Sequence, residues 1–398
     1  MIIINSSIET FVISPHGDEL VNLMVDDQAT RNKLIGQSKT LPKLKLSTLE
    51  FSDLIMLGIG AFSPLEGFMT SSDYKGVLDN MRLTSGTLWP LPVTITTDNI
   101  SDYRVGDTIA LISPYSDEIA GQLQIEDIFP YDKDIEAKAS FGTTDLSHPG
   151  AEKLQSLGSY HIGGKVKVFT EGGYPQEFKE YARPSEVRDI FAERGWKTIV
   201  AFQTRNPIHR SHEYLTKTVL ETADGLFIHP IVGKLKEGDI PADIRMACYD
   251  VLLSKYYPKD RVVLKVYPME MRYAGPKEAI LHAIIRQNYG CSHIVIGRDH
   301  AGVGDFYGAF EAQEIFDTLT GDDLKIKPTK MDWTFYCEKC SSMASFKTCP
   351  HPNEDHKMIS GTKLREMLSV GEYPPDYITR KEVSDILMDY YKNIKEKE

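Results

Sequence analysis

The sequence is short of the features that define several special classes of protein. Five cysteines in 398 residues cannot staple a disulfide scaffold. Uninterrupted apolar runs of about 18 residues do not occur, which leaves no candidate membrane span. The first residues, Met1-Ile-Ile-Ile-Asn-Ser-Ser7, are apolar only briefly and have no basic lead. They do not read as a secretory signal, and the expected location is the cytoplasm. Positive charge is also scarce. Lys and Arg number 45 against 57 Asp and Glu, for a net charge of −12, which argues against a broad nucleic-acid-binding face. Internal repeats, low-complexity segments and a GxxxxGK[ST] phosphate loop are missing too.

What is present is an ordinary soluble composition, 41% apolar and 26% charged. The chain is too long for one core and predicts two or three domains. Residues 1–168 carry short apolar segments broken by turns, such as Thr108–Ile112 and Lys165–Phe169, as a small, mostly β barrel would. From 169 to 330 the texture changes. Strand candidates Thr198–Phe202, Leu226–Val232, Arg261–Tyr267 and His293–Gly297 alternate with helical stretches Pro241–Tyr256 and Pro276–Asn288. That alternation predicts a doubly wound, parallel α/β domain with ligands at the carboxyl ends of its strands. Residues 331–398 form the third segment, with a closing helix over Thr379–Ile394.

One decapeptide stands out, Gln203-Thr-Arg-Asn-Pro-Ile-His-Arg-Ser-His212. It lies on the turn from a predicted strand into a predicted helix. Free backbone N–H groups and the positive end of the helix dipole make such a turn an anion site. Arg205, His209, Arg210 and His212 add donors, and no carboxylate interrupts them. In a chain of net negative charge this is a local reversal of field. If both histidines share the first helical turn, their rings lie on one face. An HxxH pair also suits a metal or plain surface capping. A zinc hydrolase, however, needs an acidic base and a further ligand nearby, and the segment has neither.

Cys337-Glu-Lys-Cys340 with Cys349, and with His351 and His356 close behind, has the composition of a closed tetrahedral structural zinc site. Free thiols and a redox CxxC are the alternatives. Either histidine can complete the set. His356 is favoured, because His351 is pinned between Pro350 and Pro352.

The decapeptide resembles the nucleotide-binding signature of the ATP sulfurylase (sulfate adenylyltransferase) family, a branch of the HxxH nucleotidylyltransferases. Ile296-Gly-Arg-Asp-His-Ala-Gly-Val-Gly304 is similar to a second family signature. Gly60–Met69, Lys236–Pro241, Tyr273–Lys277 and Ser360–Arg365 match others in the family's order. The resemblance implies an N-terminal PUA-like domain and a central Rossmann-like nucleotidyltransferase domain. It implies direct attack of sulfate on the α-phosphate of ATP, giving adenosine 5′-phosphosulfate and pyrophosphate. The missing phosphate loop implies no fused kinase. On this reading Gln203, Arg205 and the backbone of Ala301 meet sulfate, while His209 and His212 meet the β- and α-phosphates. Thr204 and Asn206 anchor the phosphates, and Gly297, Arg298, Asp299 and His300 line the nucleotide pocket. Asp299 has an alternative, as a structural partner of Arg298. Thr362 and Arg365 either touch ATP or cap a helix, and Lys234, Lys236 and Lys277 are possible phosphate neighbours. Thr329–Trp333 is more polar and bulkier than an adenine-holding loop should be. Mg²⁺ is expected to arrive with ATP, Zn²⁺ to sit in the cysteine cluster, and the chain to form a homodimer or larger assembly.

Overall fold

The computed structural model describes residues 12–233, 239–358 and 361–395. Lys234, Lys236 and Ser360 lie outside the described residues, as does the side chain of Thr362.

The first region is built on strands β1 (Lys43–Lys45), β2 (Gly67–Phe68), β3 (Ile95–Thr97), β4 (Thr108–Ile112), β5 (Ile119–Pro130) and β6 (Tyr160–Val168). They form one mixed sheet in the order β1-β4-β5-β6-β2, with β3 also paired to β6. The long β5–β6 ribbon shifts register between Ile125 and Asp127, which bends it. Helix content is higher than a mostly β reading allows. The helices Gln28–Ser38, Thr48–Gly58, Ser71–Asn80, Lys133–Phe141 and Pro149–Gln155 all fall here. Helix Thr48–Gly58 begins at a capping box, in which the Ser47 side chain accepts from Glu50 N and the Glu50 carboxylate accepts from Ser47 N. It is buried along nearly its whole length, so its sequence shows no polar face.

The second region holds β7 (Ile199–Phe202), β8 (Gly225–Ile228), β9 (Val262–Leu264), β10 (His293–Ile296) and β11 (Lys327–Lys330). All pair in parallel in the order β11-β10-β7-β8-β9. The chain therefore runs outward from β7 in one direction and then from β10 in the other. The switch point lies between β7 and β10, where a crevice opens beyond the strand ends. Helix Gly275–Asn288, nearly all buried, joins this sheet to the first region. Its Asn288 side-chain nitrogen donates to the carbonyls of Ala61 and Ser63, and its oxygen accepts from His16 N. One apolar core runs through both regions.

The last segment adds the antiparallel strands β12 (Thr334–Cys337), β13 (Ser342–Ser345) and β14 (His356–Lys357), followed by helices Gly361–Ser369 and Lys381–Lys395. Leu364, Leu368, Val383 and Leu387 pack with Tyr249 and Leu252 of helix Ala242–Tyr256 in a second core, on the parallel sheet. No helix of the described residues is long and apolar enough to cross a membrane.

Candidate active site

Two loops leave the carboxyl ends of β7 and β10, and both enter the switch-point crevice. A cavity of about 620 Å³ there is lined from the first loop by Gln203, Arg205, Asn206 and His212, and from the second by residues 297–302. Thr204 lines it too, but its hydroxyl is committed to the turn. Thr204 Oγ1 donates to Asn206 O and accepts from Asn206 N, both at 3.0 Å. Thr204 therefore holds the loop's shape. Tyr249 braces the same turn by donating to Asn206 O at 2.7 Å.

Arg205 carries its guanidinium 5.1 Å from the centre of the Tyr273 ring, and one terminal nitrogen is buried without a hydrogen-bond partner among the described residues. A buried donor left unpaired is costly unless an acceptor arrives with the ligand. Helix Arg210–Leu220 starts one residue later than the shared-turn reading assumed, with His209 as its N-cap and His212 at its third position. The rings are nonetheless stacked, 5.7 Å apart. The His209 backbone N–H donates to His212 Nδ1 at 3.3 Å. That bond leaves the proton of a neutral His212 on Nε2, so the ring offers an N–H to an oxyanion without needing a positive charge. His212 lines the main cavity, whereas His209 faces a small adjoining hollow together with Ser211 and Tyr336.

Burial pushes the His212 imidazole down to about 4. Burial, with His212 beside it, pushes His209 down to about 3. Both are neutral near pH 7 in the free protein. Because their folded-state values lie below the unfolded value of about 6.5, neutral rings favour the fold above that pH, and the contribution is lost as pH falls from about 6.5 toward 4. The prediction is a thermal midpoint that drops across this window, and drops less in a His209→Asn, His212→Asn double variant. Equal slopes by calorimetry would contradict it.

The nearest acid on the helix, Glu213, does not repel an anion, because it is heavily neutralised. Arg380 meets both of its oxygens, at 2.8 and 3.0 Å, and Lys217 meets one at 2.7 Å. The Ile378 carbonyl accepts from Arg210 N. The last segment thus clamps the start of the helix that carries His212.

The second loop is strained. Asp299 and Ala301 have φ of 52° and 57°, a left-handed backbone that non-glycine residues rarely adopt. Bonds hold it there. Asp299 N donates to Ala309 O, and Ala301 O accepts from Gly275 N. A Cβ on Gly297 would meet nothing within 4 Å, so the bare backbone there faces open space that a ligand can approach closely. Arg298 ion-pairs with Asp299 and stacks over Trp333 at 3.8 Å. Asp299 therefore has the structural partner weighed from the sequence, and it is still on the cavity wall. Met271, Trp333 and Lys363 also line the cavity, and sequence reasoning assigned none of them to the ligand. Trp333 was visible only as unexpected bulk in a polar loop. Residues 329 and 330 of that segment are not loop but the end of β11, and Met331 N donates to Ile296 O beside the site. Arg365 is not on the cavity wall.

The cysteine cluster forms, with one change of ligand. Atoms of Cys337, Cys340, Cys349 and His351 lie within 4.8 Å of one another. His351 Nδ1 is 3.4, 3.2 and 3.7 Å from the three sulfurs, and Cys340 and Cys349 Sγ are 3.8 Å apart. A tetrahedron with zinc–sulfur bonds of about 2.3 Å and zinc–nitrogen bonds of about 2.0 Å has edges of about 3.5–3.8 Å, so the donor set fits that ion. The choice of His356 is wrong. Its ring stacks on Phe335 at 3.7 Å and 20°, inside the small core of the knuckle. The prolines flanking His351 do not exclude it from the cluster but fix the turn that presents it.

Comparison with known proteins agrees with this geometry. The family model for ATP-sulfurylase matches residues 179–390, and one for a PUA-like domain matches residues 13–171. The chain belongs to the ATP sulfurylase family. A curated sulfate adenylyltransferase of Desulforamulus reducens is 50% identical over 96% of this chain and 99% of its own. One of Pelodictyon phaeoclathratiforme is 49% identical over 97% of both. Among solved structures, the hexameric APS kinase from Thiobacillus denitrificans superposes with a TM-score of 0.72 at 25% identity, covering 95% of this chain and 68% of that one. This family member is thus an enzyme of sulfate adenylyl transfer, with a PUA-like domain ahead of its nucleotidyltransferase sheet.

Proposed function

We propose that the switch-point cavity binds ATP and sulfate side by side and joins them in one step without a covalent enzyme intermediate. A sulfate oxygen attacks the α-phosphorus. The bond from that phosphorus to the bridging oxygen breaks, and pyrophosphate leaves with the electron pair. Sulfate is already anionic and needs no base. The barrier is repulsion between two anions plus charge building on the leaving group, so positioned donors carry the catalysis. Arg205 and Gln203, with the N–H of Ala301, hold sulfate; a planar guanidinium fork suits a tetrahedral oxyanion. His212 donates through Nε2 to the α-phosphate, and His209 serves the β-phosphate from the helix start. Asn206 touches the phosphates while Thr204 shapes the loop. Gly297, Arg298, Asp299 and His300 form the nucleoside side, with Trp333 behind Arg298. Mg²⁺ comes bound to ATP through phosphate oxygens and water. Zn²⁺ occupies the Cys337, Cys340, Cys349 and His351 cluster as a structural ion. The same reading divides the chain at 168 and 330 and makes it a cytoplasmic homodimer or larger assembly.

The observation that carries this reading is the convergence of both strand-end loops on one cavity, with a guanidinium nitrogen among them that has no partner among the described residues. The test is pyrophosphate release from MgATP, with sulfate or with molybdate, whose adenylyl product hydrolyses and drives the reaction forward. Release that rises with either oxyanion is expected. Release that neither raises above the oxyanion-free rate overturns the proposal.

A further inference from the structure

Beneath the cavity, on helix Gly275–Asn288, sit two fully buried ionisable side chains that the chemistry above leaves unused, Glu278 and His282. His282 is the one side chain hydrogen-bonded to residues of both cavity loops among the bonds described. Its Nε2 lies 3.3 Å from the Gln203 side-chain amide, and its Nδ1 lies 3.0 Å from His300 Nε2. Gln203 follows β7 and His300 follows β10, so a single imidazole spans the switch point from below. Glu278 fixes that imidazole, with an oxygen 3.5 Å from His282 Nε2. Glu278 is itself fixed by two backbone donors, Arg272 N at 2.9 Å and Ala274 N at 3.0 Å.

The protons along this line can be ordered. Burial pushes Glu278 upward, yet the bonds from His282 and the Arg272 backbone hold its carboxyl below the ordinary range, so it is a carboxylate. Burial holds both His282 and His300 below the usual histidine value, so each is neutral and carries one N–H. The carboxylate places the His282 proton on Nε2. Nδ1 is then an acceptor, and His300 must supply its N–H through Nε2. As placed, the Gln203 side-chain nitrogen faces His282 and its oxygen accepts from the Tyr267 hydroxyl at 2.8 Å; a proton on His282 Nε2 requires the amide turned over, oxygen to His282 and nitrogen to Tyr267, an exchange of its two end atoms in place. His300, which lines the cavity, is left with Nδ1 as its only ring nitrogen for a ligand, and that nitrogen is an acceptor.

We propose that His282 is a positioning residue for adenylyl transfer, held by Glu278, which sets the Gln203 amide from its Nε2 side and the His300 ring from its Nδ1 side. The inference rests on the placement of Gln203 with sulfate and His300 with the nucleoside, and it concerns residues that touch no substrate. The two faces can be removed separately. Asparagine mimics the Nδ1 side of histidine and glutamine the Nε2 side, because their amides end at those positions.

The experiment is initial-rate kinetics on His282→Asn and His282→Gln with MgATP and sulfate varied independently. In His282→Asn the KM for sulfate should rise about tenfold, with the KM for ATP within about twofold; His282→Gln should do the reverse. A role in packing alone would shift both constants in parallel in both variants, and that result, or unchanged constants, overturns the proposal. A wild-type enzyme inactive with sulfate would instead defeat the functional reading. If neither variant folds, ¹⁵N-histidine spectra of the wild-type protein decide the matter, with the His300 signal identified by its loss in His300→Gln. A neutral His300 protonated at Nε2 is expected. Protonation at Nδ1 breaks the chain from Glu278 and sinks the inference.

Discussion

Arg205→Ala should lower turnover with sulfate by about 10²–10³-fold while leaving the folded structure unchanged. The expected size is that of removing one charged donor from a pre-arranged oxyanion site, about 3–4 kcal/mol of transition-state stabilisation. Arg205 is only partly buried, and its structural contact is one ring face, that of Tyr273. Its loss should move the thermal midpoint little, since a partly exposed cation–π contact is worth only about 1 kcal/mol. Arg205→Lys separates charge from shape. It restores a cation but not the planar pair of donors, so recovery should be partial and appear mainly in the sulfate KM. A variant with no guanidinium that turns over at the wild-type rate, or one that fails to fold, would remove Arg205 from the sulfate site.

The place of Arg205 on the cavity wall was legible in the sequence because the two strand-end loops carry their own context. Ile199–Phe202 is a short, fully apolar β run and His293–Ile296 is one apart from its first residue, and each is followed at once by polar, glycine- or proline-marked turns. Strand end, turn chemistry and helix start agree there, so position along the chain implied position in the crevice. Other parts depend on contacts that no local pattern encodes. Helix Thr48–Gly58 hid because burial on all sides erases amphipathic period. Strand β11, Lys327–Lys330, hid for the opposite reason. It is an edge strand, polar and containing Pro328, which an edge tolerates. Glu278 and His282 read as ordinary polar positions on a helix, and only the topology reveals that this helix runs under both ligand loops. Arg380 reaches Glu213 across 167 residues, a pairing invisible to spacing. His351 joins the cysteines because the rigidity of its flanking prolines acts as pre-organisation and not as exclusion.

The corrected ligand set leads to the second large effect. Cys340→Ser should release the zinc, lower the thermal midpoint by about 10 °C and raise the KM for ATP about tenfold. Cys340 is exposed, so its replacement opens no core cavity and the effect must come through the metal. The knuckle has little else to hold it, since its buried apolar core is Phe335, Cys337 and Ala344. Losing a closed four-ligand site should therefore free the whole sheet β12–β14. At about 4–8 °C per kcal/mol for a region of this size, that shift in midpoint corresponds to a loss of about 1–2.5 kcal/mol. The kinetic effect follows from where the sheet begins. Trp333 and Thr334 are on the cavity wall, and Tyr336 stacks on Tyr377 at 4.6 Å, one residue before the carbonyl that receives Arg210 N. Freeing the sheet loosens the Trp333 wall of the cavity and the clamp on the helix that carries His212 together. Metal analysis of His351→Ala and His356→Ala makes the assignment decisive. The first should lose its equivalent of zinc, and the second should keep it while losing some stability through the ring stacked on Phe335. If His351→Ala retains stoichiometric zinc, or if zinc-free Cys340→Ser binds ATP as tightly as the wild type, the knuckle neither uses that ligand nor supports the site.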